Sequence, residues 1–159
     1  MGFLSSLFKK KQTTTVHAFA GQEADFEAAK QARAEFLEQA SSGDSVSQAF
    51  NAASALMLDR KYEACIAAYG ELATRFPDRR GDCESQIGAA WYFLKDLNKA
   101  IEFYVQARAH GADASMMDDN IWEACEAQLA AGDAGAAQRY LELCPDGSYV
   151  KKARKALGR

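Results

Sequence analysis

The chain is predicted to be all-α, an array of antiparallel helix pairs. Three observations carry this. Two stretches repeat without gaps at an offset of 35 residues: Tyr62–Tyr69 (YEACIAAY) and Leu97–Tyr104 (LNKAIEFY). The aligned pairs include Cys65 with Ala100, Ile66 with Ile101 and Tyr69 with Tyr104. A third copy, Ala134–Leu141 (AGAAQRYL), puts Ala137 in the same slot 37 residues after Ala100. Finally, only 2 prolines interrupt 159 residues, so long helices are permitted. A regular period of this length marks stacked helix pairs, each unable to bury its apolar face alone.

Taken in order, the elements begin with an amphipathic basic segment and linker over residues 1–20. Phe3, Leu4, Leu7 and Phe8 fall on one helical face, and Lys9, Lys10 and Lys11 follow. Apolar side chains beside a lysine cluster suit an anionic membrane surface. Gly2 and Ser6 also fit the M-G-x-x-x-[ST] pattern of N-myristoylation. The polar run Gln12–Thr15 reads as a linker. Residues 21–44 form an N-terminal helix, since Phe26, Ala29, Ala32, Phe36 and Ala40 share one face. Ser41–Asp44 is the turn after it.

Residues 45–147 hold the three repeats. Their first helices are expected over Ser45–Leu58, Asp82–Leu94 and Ser115–Ala131. Ser45–Gln48 forms a capping box, Asp82 is placed to cap the second pair, and Ser115 with Asp118 the third. Gly111 and Gly132 are expected just past helix ends, and Pro77 and Pro145 follow helix ends. Residues 148–159 make a C-terminal capping helix. Tyr149, Ala153, Ala156 and Leu157 form its apolar side, and Lys151, Lys152, Arg154 and Lys155 occupy the rest. A terminal helix of this kind keeps a repeat array soluble.

Close packing of antiparallel helices needs small side chains where backbones approach. Ala53, Gly88 and Cys125 meet that need on the first helices, and Cys65, Ala100 and Ala137 on the second. Cys65 and Cys125 therefore read as small buried hydrophobes. The cysteines, Cys65, Cys83, Cys125 and Cys144, contain no C-x-x-C pair, so no zinc or redox motif is read.

Across 45–143 these residues resemble the tetratricopeptide repeat family. Its period is about 34 residues, with W-x-x-L-G-x-x-Y, then A-x-x-x-F, then P. The first copy shows Ala49, Ala52, Ala53, Leu56, Cys65, Tyr69 and Pro77. The second, the most specific, shows Glu84, Ile87, Gly88, Trp91, Ala100, Tyr104 and Ala112. The third shows Ile121, Ala124, Cys125, Gln128, Ala137 and Leu141; Gln128 departs from the pattern, and no proline follows at the expected distance. The resemblance implies a solenoid of three such repeats whose first helices line a concave groove. Carried over by alignment, that groove is lined by Phe50, Ser54, Met57, Asp82, Ala89, Tyr92, Phe93, Asp119, Trp122, Glu126 and Leu129. Aromatic residues and Met are what protein-contact patches concentrate. The carboxylates beside them favour an apolar or basic peptide.

The family's use as a clamp for acidic C-termini is disfavoured. The clamp positions carry Phe50, Ser54, Gln86, Asp119 and Glu123, and two carboxylates repel a third.

Charge narrows the partners further. The net charge is −3 and the sequence pI about 5.4, which argues against nucleic acid. Residues 45–145 carry 9 basic and 15 acidic side chains, whereas residues 146–159 carry 5 basic and 1 acidic. No Gly-rich phosphate loop is present. His17 sits in the linker, and His110 sits at a helix end, where a cation suits the dipole. The carboxylates Asp118, Asp119, Glu123 and Glu126 are what a helix N-terminus attracts without a metal. The expectation is a protein that is not an enzyme and has no cofactor, metal site or catalytic residue. It is a cytoplasmic adaptor or scaffold, reaching the inner membrane face through its N-terminus. The alternatives are a small secretion chaperone of the type III class and a homo-oligomer whose groove is filled by its neighbour. No run approaches the roughly 20 apolar residues of a membrane-spanning helix.

Overall fold

The computed structural model describes residues 45–158. The expected N-terminal segment (1–20) and helix (21–44), and with them Gly2, Phe3, Leu4, Leu7, Phe8 and Lys9 to Lys11, lie outside the described residues. Over the described residues the chain is all-helical. The helices are α1 (Ser45–Leu58), α2 (Tyr62–Arg75), α3 (Arg80–Phe93), α4 (Leu97–Ala109), α5 (Ala114–Ala130), α6 (Ala136–Leu143) and α7 (Val150–Ala156). A short 3-10 turn, Pro77–Arg79, joins α2 to α3.

Two of the expected caps are corrected. Pro77 fixes its own φ and opens the 3-10 turn, so the chain runs straight into α3 two residues before Asp82. The Asp82 carboxylate accepts instead from Arg79 Nε at 2.7 Å. The N-cap of α5 is Asp113, whose carboxylate accepts from the Met116 amide at 2.9 Å, not Ser115 or Asp118. Asp96 caps α4 in the same way, accepting from Lys99 N at 3.1 Å.

Gly111 and Gly132 follow α4 and α5 with φ of 89° and 96°, as expected of helix-ending glycines. Arg60 and Lys95 adopt the same left-handed conformation after α1 and α3 without being glycine, at φ 58° and 67°. The turns close there regardless. Lys61 N donates to Leu56 O at 2.8 Å, and Asp96 N to Trp91 O at 3.0 Å, satisfying carbonyls that a helix end leaves open.

Every pair of elements in substantial contact is adjacent along the chain. The small-residue slots explain how the helices approach. Cys65, Ala100, Cys125 and Ala137 are fully buried, and Ala53 nearly so. Gly88 is the tightest point, since a Cβ there would lie 2.7 Å from the Tyr104 ring and 3.2 Å from the Ala100 carbonyl. The core forms two clusters. One gathers Phe50, Met57, Tyr69, Leu72 and Ile87 from α1 to α3. The other gathers Tyr104, Met117, Ile121, Trp122 and Tyr140 from α4 to α6, with Ala153 of α7. Trp91 and Met116 pack against both and join them.

Buried polar groups tie the elements together. Glu84, nearly buried on α3, accepts from Arg80 at 2.8 Å and pairs with Nδ1 of His110, the C-cap of α4, at 2.6 Å. Gln128 donates to Asn98 at 2.8 Å and accepts from Arg139. Gln128 thereby cross-links α4, α5 and α6. The apolar side of α7 is narrower than expected. Ala153 is fully buried, Tyr149 and Leu157 are half-buried, but Ala156 is exposed because the helix ends there.

Candidate functional site

The expected groove residues divide into two groups. Phe50, Met57, Ala89 and Trp122 are 1%, 2%, 4% and 5% exposed, so their side chains belong to the core. Phe50 packs on Tyr69 and Phe76 with ring centroids 6.2 and 5.9 Å away, and carries the Arg79 guanidinium over its face at 4.8 Å. Ser54, Asp82, Tyr92, Phe93, Asp119 and Leu129 are half-buried, and Glu126 is exposed. Phe93 stacks on Tyr62 of α2 at 5.3 Å and meets Tyr92 edge-on at 5.9 Å. Asp82 is engaged by Arg79. The accessible part of the expected groove therefore centres on α3 and α5.

Two residues outside that expectation complete the locus, Glu123 and Tyr149. Tyr149, just before α7, stacks on Trp122 at 5.5 Å with an interplanar angle of 6°, and its hydroxyl donates to Asp119 at 2.9 Å. Tyr140 of α6 closes the corner, 5.1 Å from Trp122. Its hydroxyl donates to Asp118 at 2.6 Å and accepts from the Tyr149 amide at 3.1 Å. Asp118 also accepts from the Ser148 amide at 2.8 Å. Gly147 is required here, because a Cβ would collide with the Tyr140 hydroxyl and the Asp118 carboxylate. Asp118 is thus the anchor of the aromatic corner. Burial pushes its carboxyl up, but the bonds from Tyr140 and Ser148 outweigh this and hold it below the ordinary aspartate value.

Glu123 is the electrostatic centre. Burial first, and then the charges of Glu126 and Asp119, push its carboxyl up to about 7. The Tyr92 phenol is raised above its ordinary value by burial and then by the charges of Glu123 and Glu126. No lysine, arginine or histidine forms an ion pair with Glu123 or Glu126 among the described residues. The indole N–H groups of Trp122 and Trp91 are buried and have no acceptor among the described residues.

Among the described residues, no group of three or more His, Cys, Asp or Glu is placed to hold a metal. All four cysteines are buried and free. Burial pushes the thiols of Cys65 and Cys83 up to about 12 and that of Cys125 to about 11, so they stay protonated at neutral pH. No helix among the described residues is long and apolar enough to cross a membrane.

Glu123 and Tyr149 were missed for one reason. The alignment transferred groove positions of the repeats, and Tyr149 lies past the last repeat. In the sequence Glu123 stands at a clamp position and among the carboxylates expected near a helix N-terminus, not at a groove position. The available signal was the run Asp118, Asp119, Trp122, Glu123, Glu126, dense in carboxylates around an aromatic residue.

Comparison of the chain with protein-family models, with curated proteins and with solved structures returns no match. The class that stands is an all-helical protein with an acidic, aromatic locus across α3, α5 and the start of α7.

Proposed function

We propose that this protein is a non-enzymatic interaction adaptor. In this reading its helix pairs form a solenoid of tetratricopeptide type, and its first helices present a groove to a segment of a partner protein. The supporting observation is the locus of Tyr92, Glu123, Glu126 and the Trp122–Tyr149 stack, whose carboxylates lack cations among the described residues. Aromatic anchors are the side chains that carry binding energy at protein interfaces. A half-buried carboxylate without a counter-ion is costly in the free protein and is relieved when a complementary group arrives.

The test is site-directed photo-crosslinking with the full chain. A photoreactive phenylalanine at Tyr92 should give partner adducts in cells, and the same probe at Glu102, exposed on α4, should not. Glu126→Lys should diminish the Tyr92 adducts, since reversing one charge at the locus removes its complementarity. Adducts of equal yield at both positions, or none at Tyr92, would refute the reading. Trp122 is unsuitable for this test, because its side chain is core.

A further inference from the structure

The C-terminal helix carries a charge arrangement that folding does not explain. α7 buries Ala153 completely and leaves Lys151, Lys152, Arg154 and Lys155 exposed. At about 100° per residue, Lys151 and Lys155 point about 160° away from Ala153, and Lys152 and Arg154 lie about 100° to either side of it. Four cations therefore cover the whole outer face of the helix. Within the fold they work against one another. Lys151 and Lys155 are one turn apart, where like charges repel. Lys151 and Lys152 stand in the first turn, at the positive pole of the helix dipole, with no acidic residue there to offset them. None of the four forms an ion pair among the described residues. Lys152 Nζ rests 5.2 Å from the Tyr149 ring centre, and the Asp119 carboxylate accepts from the Tyr149 hydroxyl where that ring stacks on Trp122. The sole acidic residue of 146–159 is Asp146, ahead of the helix.

We propose that the basic face of α7 docks this protein on an anionic lipid bilayer. The proposal goes beyond the adaptor reading and does not depend on it. Charge fixes the approach, because residues 45–145 carry 9 basic and 15 acidic side chains and an anionic surface attracts the chain at α7 while repelling the rest. The residue types select the kind of surface. Three of the four cations are lysines, compact hydrated point charges without the planar fork that grips one carboxylate or phosphate bidentately. They are spread over the outside of a helix rather than gathered in a cleft. Such a face suits a diffuse sheet of negative charge, which is what an acidic bilayer leaflet presents. The N-terminal sequence favours the same occupant. Phe3, Leu4, Leu7 and Phe8, with Lys9, Lys10 and Lys11 after them, lie outside the described residues and by composition suit an anionic membrane. A single short apolar anchor holds a protein to a bilayer weakly, and a polybasic patch is its usual complement.

The test is sedimentation of the full chain with vesicles of equal parts phosphatidylcholine and phosphatidylserine, beside vesicles of phosphatidylcholine alone. Lys151→Gln/Lys155→Gln is compared with Lys61→Gln/Arg75→Gln, which removes the same charge from exposed positions at the two ends of α2. The parent should bind the phosphatidylserine vesicles and leave them as salt is raised, since the attraction is screened. Each lysine near such a surface is worth about fivefold in partitioning, so the α7 pair should lower binding about 25-fold. The α2 pair should bind as the parent does. The α7 variant should also melt no lower than the parent, because a like-charge pair has been removed. A lower melt would show that these lysines serve the fold and would overturn the proposal. So would equal binding to both kinds of vesicle, an equal loss in the two variants, or undiminished binding by the α7 variant, which would leave the N-terminal segment as the contact. Capture of a capped glutamate-rich peptide through α7, with no binding to vesicles, would assign the face to an acidic protein instead.

Discussion

At the scale of single residues, two carboxylates on α5 have opposite fates. Asp118 is bonded from two sides, by the Tyr140 hydroxyl and the Ser148 amide, and its proton affinity falls. Among the described residues Glu123 has no donor or cation partner, and its proton affinity rises. The stability consequences have opposite signs. A depressed carboxyl stabilises the fold above its unfolded value, and that stability is lost as pH falls through the folded value. Tyr140→Phe removes the central bond and also strands the Tyr149 amide. It should cost about 1–3 kcal/mol near neutral pH, with a smaller penalty in acid, where Asp118 is protonated in both states. Denaturant melts at several pH values check this, and a pH-independent cost would show that Asp118 is not the partner that matters. Glu123 behaves the other way. Its raised carboxyl keeps a proton in the fold that the unfolded chain releases, so stability declines as pH rises from about 4.5 to about 7. Glu123→Gln should therefore melt higher than the parent at about pH 8 and close to it at about pH 4, by calorimetry. A mutant that melts lower at the higher pH would mean that the carboxylate is paired in solution.

At the scale of elements, contact between α3 and α4 is set by one absent side chain. Gly88 lets the Tyr104 ring lie directly on the backbone of α3. The aromatic ring cannot retreat, because Tyr104 is itself fully packed at 2% exposure. Gly88→Ala gains helix propensity of about 1 kcal/mol, yet overpacking of a filled core costs about 1–3 kcal/mol, so the net effect should be destabilising. Gly70, on α2, is the contrast. A Cβ there meets nothing within 4 Å, so Gly70→Ala should stabilise. Urea midpoints for the two variants should move in opposite directions; parallel movement would mean that helix propensity, not the close approach, dominates at both sites.

At the scale of the whole molecule, substantial contacts among the described residues run between chain neighbours. The clusters of α1 to α3 and of α4 to α7 meet through Trp91 and Met116. Where contacts are confined to chain neighbours, stability is approximately a sum of local terms and nearest-neighbour interfaces. Damage at one end should then stay there. Ala153→Asp buries an unpaired charge in α7, a local cost of about 3 kcal/mol or more. Hydrogen exchange should accelerate across α6 and α7 while the amides of α2 keep their protection. Uniform acceleration would show one cooperative unit instead.

The sequence by itself determined the all-helical class and the small-residue slots where helices approach. The slots of Cys65, Ala100, Cys125 and Ala137 were legible because close packing admits only small residues, and such a restriction recurs with the repeat. The turns at Gly111 and Gly132 were legible because a left-handed backbone favours glycine. Arg60 and Lys95 were not, since there the rest of the fold imposes a conformation that the residue does not favour. Tertiary structure alone decided which aromatic residues face outward. Phe50, Trp122 and Tyr92 look alike along a helix, yet Phe50 and Trp122 are core and Tyr92 is half-exposed. The pairing of Tyr149 with Asp119, and the lack of a cation on Glu123 among the described residues, were also fixed there. Both depend on residues about 30 positions away in the chain or on other helices, and charge and burial act through space, where sequence spacing carries no record of them.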